Sequence, residues 1–138
     1  MEKLLPWFAL KRIPGVGNHI FKLLLERFNN PASVFESTIE DLLRVSGVTP
    51  DLARTILTHQ APDSLKKEVE DVYKKGYHIV TLSDEDYPRL LFEIHDPPPF
   101  LYVYGSIDSS IKNIAVVGSR QSTTYGIKTT HRLCKDLV

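Results

Sequence analysis

Apolar residues in the first 75 positions recur three and four residues apart, interrupted by prolines and short polar stretches. This spacing places apolar side chains on one side of a helix, whereas a half-buried strand alternates apolar and polar residues. Several interruptions also contain residue pairs that begin or end helices. The pattern therefore predicts an all-helical region over residues 1–75. The expected helices begin at Leu4, run from Asn18 to Phe28, begin at Asn30-Pro31, lie around Ile39, begin at Thr49-Pro50 and run from Ala61-Pro62 to Gly76.

The hydrophobic pattern changes at Gly76, after which β-branched and aromatic residues stand next to one another. Residues 77–82 and 100–104 are rich in these residue types, and we expect each segment to form a strand. Residues 114–117 (Ile-Ala-Val-Val) are apolar throughout, as expected of a strand that is buried on both faces. A last helix is expected after Gly126. The second half of the chain is therefore predicted to begin an α/β domain.

The predicted fold class is α/β overall, with a helical domain over residues 1–75 and the beginning of an α/β domain over residues 76–138. The second region has 63 residues, whereas a doubly wound domain usually needs on the order of 100 or more. Its last helix has an apolar side and no following strand. We therefore expect a fragment, or a sheet that another chain completes; the alternative is a small, self-sufficient three-stranded sheet.

The composition is that of an ordinary globular protein, with 42% hydrophobic and 25% charged residues. The apolar runs are too short to cross a membrane, and the N-terminus lacks the pattern of a signal peptide. The single cysteine, Cys134, excludes a disulfide framework or a cysteine zinc site within one chain, and we expect it in the core. The five histidines show no metal-ligand spacing. We therefore expect no metal, no cofactor and a cytoplasmic location.

The net charge of zero conceals two mildly basic ends around an acidic middle. Residues 1–30 and residues 106–138 each hold five basic and two acidic side chains, whereas residues 31–105 hold seven basic and thirteen acidic ones. A polyanion would be attracted to the ends. Chance clustering on a solvated surface produces an excess of three charges as well.

The first of two glycine-containing turns, residues 13–17 (Ile-Pro-Gly-Val-Gly), lies between two predicted helices. Such a turn leaves backbone N–H groups free at the start of the next helix, where they can hold a phosphate. Residues 45–50 repeat the turn in weaker form, and the two together resemble a tandem helix-hairpin-helix domain. A tight turn between packed helices is the alternative. The candidate DNA contacts are Gly15, Val16 and Gly17.

The second glycine-containing turn, residues 118–126, follows the predicted strand at residues 114–117 and precedes the last helix. Open α/β sheets bind ligands at this position. The turn has neither the Walker spacing nor that of Gly-x-Gly-x-x-Gly, but its hydroxyls, N–H groups and guanidinium suit a phosphate. In the alternative, a threonine caps the helix and Arg120 pairs with a carboxylate. The candidate anion-binding residues are Gly118, Ser119, Arg120, Gln121, Ser122, Thr123 and Gly126.

Five separate pieces of the sequence resemble the DprA (Smf) DNA-processing family in their order and spacing. The helical part is similar to that family's small SAM-like or helix-hairpin-helix domain. The resemblance covers nearly the whole of this chain but only the first half or less of the family's core. The five pieces are residues 87–91 (YPRLL), 94–98 (IHDPP), 101–105 (LYVYG), 114–120 (IAVVGSR) and 124–126 (TYG).

This resemblance implies a non-enzymatic protein of natural transformation, which binds single-stranded DNA, shields it and loads the RecA recombinase on it. It implies an extended Rossmann-like domain, of which residues 76–138 are the truncated beginning, that binds DNA phosphates and forms a homodimer. Arg120 is then the phosphate-binding cation and Ser119 its helper, while Lys128 and Arg132 supply further charge. We expect Tyr125 in the core rather than as a surface on which bases stack.

Two other functions stay open on the sequence. The first is a nucleotide-phosphate-processing enzyme of a related Rossmann-like fold, although its glycine loop and catalytic carboxylate are not in this stretch, and no catalytic residue is assigned. The second is a helix-hairpin-helix module that docks duplex DNA or a protein through Gly15 and Gly17.

Overall fold

The computed structural model describes residues 2–108 and 114–137, and helices dominate its first half. A 3₁₀ turn at Glu2–Leu4 comes first. The helical region predicted for residues 1–75 is confirmed, as are the two strands after it. The elements are α1 (Leu5–Arg12), α2 (Asn18–Phe28), α3 (Pro31–Phe35), α4 (Ile39–Leu43), α5 (Pro50–Thr58), α6 (Ser64–Lys74), β1 (Tyr77–Thr81), α7 (Arg89–Phe92), β2 (Phe100–Tyr104) and α8 (Thr124–Leu137).

Polar side chains decide where three of the short helices begin. Asn30 Oδ1 accepts a hydrogen bond from the backbone N–H of Ser33 at 2.9 Å, and Thr49 Oγ1 accepts one from Leu52 at 3.2 Å. Both residues precede a proline in the first turn, so these two predicted helix starts are confirmed. Thr38 caps α4 in the same way.

The last helix of the first half differs from its prediction at one end and agrees with it at the other. α6 begins at Ser64 rather than at Ala61-Pro62, because the chain first makes a turn in which Leu65 N–H donates to the Pro62 carbonyl at 2.9 Å. Gly76 ends the helix as predicted. Its φ of +79° is a conformation that glycine adopts without strain.

The turns of the two hairpins, at residues 13–17 and 45–50, pack against each other reciprocally. Gly15 and Gly47 both have positive φ, +94° and +83°. A β-carbon on Gly15 would lie 3.2 Å from a methyl of Leu52, and one on Gly47 would lie 3.6 Å from Ile20. Leu52 follows Gly47, and Ile20 follows Gly15, by the same five positions. Each turn therefore contacts the equivalent helix of the other repeat, as a tandem arrangement requires.

One hydrophobic core extends through the helices and onto the sheet. Trp7 stacks on Phe21 with ring centroids 5.6 Å apart, which joins α1 to α2. Phe8 stacks on Phe100 with centroids 4.4 Å apart, which joins α1 to β2. The core is therefore continuous across residues 75–76, where the sequence analysis places a domain boundary.

β1 and β2 form a two-stranded antiparallel sheet. Tyr77 lies opposite Tyr104, and Ile79 lies opposite Tyr102, so these four side chains share one face of the sheet. The three tyrosines on this face are 40%, 78% and 51% exposed, in the order in which they are named. One face of the sheet thus carries tyrosine rings that reach solvent.

Three side-chain hydrogen bonds hold the segment between the strands. Asp84 Oδ2 accepts bonds from the backbone N–H of Thr81 at 2.6 Å and from its hydroxyl at 2.8 Å. The Tyr87 hydroxyl donates to the Pro98 carbonyl at 2.8 Å. Burial raises the pKa of Tyr87 to about 12. These bonds set the path by which the chain enters β2.

The strand predicted for residues 114–117 is wrong, because this segment has no regular secondary structure. Ile114 is 67% exposed and Val117 is 90% exposed. A strand needs a neighbour to pair its backbone N–H and C=O groups, and among the described residues β1 and β2 pair with each other alone. The Rossmann-like sheet therefore stays a prediction.

α8 forms as predicted but begins at Thr124 rather than after Gly126, and none of its described residues is buried. Tyr125 is 77% exposed and Cys134 is exposed, so the prediction of a core position is wrong for both. An apolar side chain becomes buried only where another element packs on it, and within residues 2–108 and 114–137 no element covers this helix.

Candidate nucleic-acid interface

The segment of residues 118–126 lies in open solvent, and its last three residues form the first turn of α8. All of its residues from Gly118 to Tyr125 are exposed, and Gly126 is half-buried. Among the described residues, no carboxylate forms an ion pair with Arg120. The planar guanidinium therefore stands at the surface, where it can bind a phosphate through two parallel hydrogen bonds.

Two of the hydroxyls in this turn are engaged with the backbone. Ser119 Oγ accepts a hydrogen bond from Gln121 N–H at 3.2 Å, and Thr123 Oγ1 accepts one from Gly126 N–H at 3.1 Å. Thr123 is thus the helix cap that the alternative interpretation expected, although the carboxylate partner that it expected for Arg120 is not among the described residues. Ser122 and Gln121 leave exposed polar side chains beside Arg120.

The start of α8 adds positive charge to the same region. The first N–H groups of a helix have no intrahelical partner, and the helix dipole makes this end positive. Lys128 and Arg132 are four residues apart and exposed, so they lie on the side of α8 that begins at Thr124. Neither Lys128 nor Arg132 forms an ion pair with a described residue, and Asp136 lies one turn further along the same side of α8.

The first hairpin is not open in this way, because a segment from the second half of the chain lies against it. Asn18, at the first position of α2, donates from Nδ2 to the carbonyl of Asp96 at 3.2 Å. Lys11 Nζ donates to Asn18 Oδ1 at 2.7 Å. Two polar groups at the end of the hairpin are therefore engaged inside the chain.

Ring contacts extend this docking along α2. The imidazoles of His19 and His95 stack with centroids 4.2 Å apart and planes 11° apart, and His19 Nδ1 lies 3.4 Å from the His95 carbonyl. Lys22 Nζ lies over the Phe92 ring, 5.3 Å from its centroid. The sequence analysis missed this contact because the partners are 70 or more residues apart and no local pattern joins them. The candidate contacts Gly15, Val16 and Gly17 thus lie beside an occupied surface.

The second hairpin lacks the features of an anion site. Thr49 already caps the helix, and Pro50 has no N–H to offer. Asp51 places a carboxylate in the first turn of α5, where it pairs with Arg54 at 2.6 Å. A phosphate at this helix start would meet a negative charge.

Arginines near the second hairpin are also engaged. Asp41 pairs with Arg27 at 3.4 Å and with Arg44 at 3.2 Å. The hydrogen bond from Thr38 has the largest effect on the pKa of Asp41 and lowers it; burial, the next largest, opposes it, and the two arginines lower the pKa further. This carboxylate therefore stays ionised at neutral pH and offsets the basic charge of the helical region.

Residues 2–108 and 114–137 contain neither a metal-binding cluster nor a membrane-spanning helix. No group of three or more histidine, cysteine, aspartate or glutamate side chains there could hold a metal ion. None of the described helices combines the length and the apolarity that crossing a bilayer requires.

Two family models match the chain, and each covers one of the glycine turns. The model described as "DNA recombination-mediator protein A" matches residues 78–138, which include the turn before α8. The model described as "SAM-like Helix-hairpin-helix tandem" matches residues 9–59, which include both hairpins. The helix-hairpin-helix character of the first half is therefore confirmed.

Curated relatives match the chain over different lengths. Protein Smf of Synechocystis sp. is 29% identical over 137 residues, which are 96% of this chain and 34% of that protein. DNA processing protein DprA of Bacillus subtilis is 31% identical over 87 residues, 54% of this chain and 29% of that protein. UvrABC system protein C of Trichlorobacter lovleyi is 46% identical over 48 residues, 35% of this chain and 8% of that protein. The chain spans about a third of the length of the first two relatives.

Proposed function

The chain belongs to the DprA/Smf family of DNA-processing proteins, whose N-terminal portion it matches, and from this we propose that it binds single-stranded DNA without catalysing a reaction. In the whole protein this binding protects incoming DNA during natural transformation and delivers it to the RecA recombinase in the cytoplasm. The whole protein acts as a homodimer built on a Rossmann-like domain.

One observation carries the proposal: Arg120 stands exposed beside the uncovered start of α8, with no carboxylate partner among the described residues. A guanidinium and free helix N–H groups bind phosphate oxygens in a way that does not depend on base sequence. Lys128 and Arg132 extend the positive surface along the helix. These contacts suit a flexible, phosphate-rich strand.

The geometry favours this function over both alternatives. Residues 118–126 contain hydroxyls and one guanidinium but no carboxylate or histidine, whereas a hydrolase needs a group that moves protons. Duplex binding through the first hairpin would require a phosphate where residues 92–96 already lie against α2. Neither alternative is proposed.

The test is a fluorescence anisotropy titration of a labelled oligo-dT strand with the 138-residue chain at low and at higher salt. We expect binding that weakens as salt rises, because each phosphate contact releases counterions. Arg120→Ala removes one phosphate contact and should lower the salt slope by about 0.7. Its affinity at low salt should fall roughly tenfold, in line with one lost charge-assisted hydrogen-bonded contact.

Arg54→Ala is the matched control, because it removes the same charge from an exposed helix position whose guanidinium is paired with Asp51. Its affinity should equal that of the parent chain. Equal affinities for Arg120→Ala and the parent chain would show that the turn is not the phosphate site.

A further inference from the structure

A second candidate site lies in a groove of about 470 Å³ between α6 and the tyrosine-bearing face of the sheet. Neither glycine turn contributes to it. We call it the tyrosine groove. The lining residues used below are Lys67, Glu68, Asp71, Lys75, Tyr77 and Tyr102.

Aromatic rings form one side of the tyrosine groove. Tyr77 is 40% exposed and Tyr102 is 51% exposed, so part of each ring reaches solvent. Tyr104 continues the same face, with its ring centroid 5.5 Å from that of Tyr77. Exposed tyrosine rings side by side on a sheet offer flat surfaces on which successive bases can stack.

The carboxylates of the groove are paired, whereas two of its lysines are not. Arg12 forms an ion pair with Glu68, and Lys74 lies 3.6 Å from Asp71. Lys67 and Lys75 form no ion pair with any described residue. Because Lys75 is eight positions after Lys67, the α-carbons of the two residues stand about 12 Å apart along the helix axis. The uncompensated charge of the groove is therefore positive at both ends.

We propose that the tyrosine groove is a second contact for single-stranded DNA, in which bases stack on Tyr77 and Tyr102 while Lys67 and Lys75 bind flanking phosphates. The identity of the ligand rests on the proposed function, but the site is separate from the turn at residues 118–126. An acidic peptide would use the lysines and leave the ring faces without a flat partner, which favours a nucleic acid.

The test compares groove variants with controls of the same chemistry in the full chain. Lys67→Gln with Lys75→Gln removes the free lysines, and Lys3→Gln with Lys66→Gln removes as much charge from two exposed positions outside the groove. Tyr77→Leu removes a groove ring, and Tyr73→Leu removes a 42% exposed ring of α6 that does not line the groove. Circular dichroism melting verifies that each variant is folded.

The probes are labelled oligo-dT, an abasic strand of the same length and a labelled polyglutamate peptide. We expect the groove double variant to bind oligo-dT about tenfold more weakly, with a salt slope lower by about 0.7 for each lysine removed. Tyr77→Leu should lose about tenfold on oligo-dT and nothing on the abasic strand, because only the former can stack. Both control variants should bind as the parent chain does.

Each other outcome overturns a defined part of this scheme. If the groove variants bind oligo-dT as their controls do while Arg120→Ala binds weakly, the groove is not a DNA site and the turn is. If the groove variants bind weakly while Arg120→Ala binds as the parent chain does, the turn is not a DNA site and the groove is. A parent chain that binds polyglutamate but not oligo-dT assigns the groove to an acidic peptide, and one that binds neither probe removes both sites.

Discussion

Gly15 shows how one backbone conformation sets the geometry of the first hairpin. Its φ of +94° lies in the region that side chains avoid, and its α-carbon faces Leu52 so closely that a β-carbon would lie 3.2 Å from a methyl group. Gly17, two residues on, has φ −72° and nothing within 4 Å of a β-carbon. The same motif thus contains one glycine that the fold requires and one that it does not.

Gly15→Ser and Gly17→Ser should therefore differ, although the substitution is the same. We expect Gly15→Ser to lower the free energy of unfolding by about 2 kcal/mol, from left-handed strain and the contact with Leu52. Gly17→Ser should keep or raise stability, because serine is a favoured residue at the start of a helix. Urea unfolding followed by circular dichroism measures both, and equal losses would contradict this account.

The buried hydroxyl of Tyr87 makes the free energy of unfolding depend on pH in the alkaline range. Burial raises the pKa of its hydroxyl from 10.0 to about 12, so the folded chain favours the neutral phenol. A raised pKa contributes stability that is complete below the unfolded value and is lost as pH rises through the folded value. We expect the free energy of unfolding to fall more steeply between pH 10 and 12 for the parent chain than for Tyr87→Phe. Parallel pH profiles of the two proteins in urea unfolding would refute this.

Among the elements, the helices and the two strands that pair with each other could be located from the sequence, whereas the strand expected at residues 114–117 does not form. α2 occupies its predicted residues, and the caps at Asn30 and Thr49 are where the sequence places them. A helix pairs its own backbone groups, so an apolar stripe and a cap are enough to locate it. Residues 114–117 have the composition of a buried strand but no described strand beside them, and they are exposed and have no regular secondary structure.

The candidate interface was predictable to the same degree. The turn before α8 and its threonine cap could be predicted from the sequence, because a threonine three residues before the backbone N–H that it caps is a local pattern. The contacts of Asn18 and His19 with residues 95–96 could not be predicted from the sequence, since those segments meet only through the tertiary fold. The tyrosine groove could not be predicted for the same reason, because Tyr77 and Tyr102 become neighbours of α6 only once the two strands pair.

The whole molecule joins its helical half to its sheet through Phe8. This ring stacks on Phe100, meets Tyr102 edge-on at 6.2 Å and is 2% exposed. The docked hairpin adds a second connection between the halves. Residues 2–108 therefore share one core, while α8 contributes no buried residue to it.

This connectivity predicts that the helices of the first half and the two strands unfold as one cooperative unit. In hydrogen exchange measured at increasing urea, amides of α2 and β2 should lose protection together, and those of α8 should exchange much earlier. Phe8→Ala should destabilise both groups equally, by about 3–5 kcal/mol, because it leaves a cavity where the helices meet the sheet. Phe92→Ala, at a 45% exposed ring, should cost far less. Strand amides that exchange at lower urea than those of α2 would instead mean that a boundary at residues 75–76 separates two independent domains.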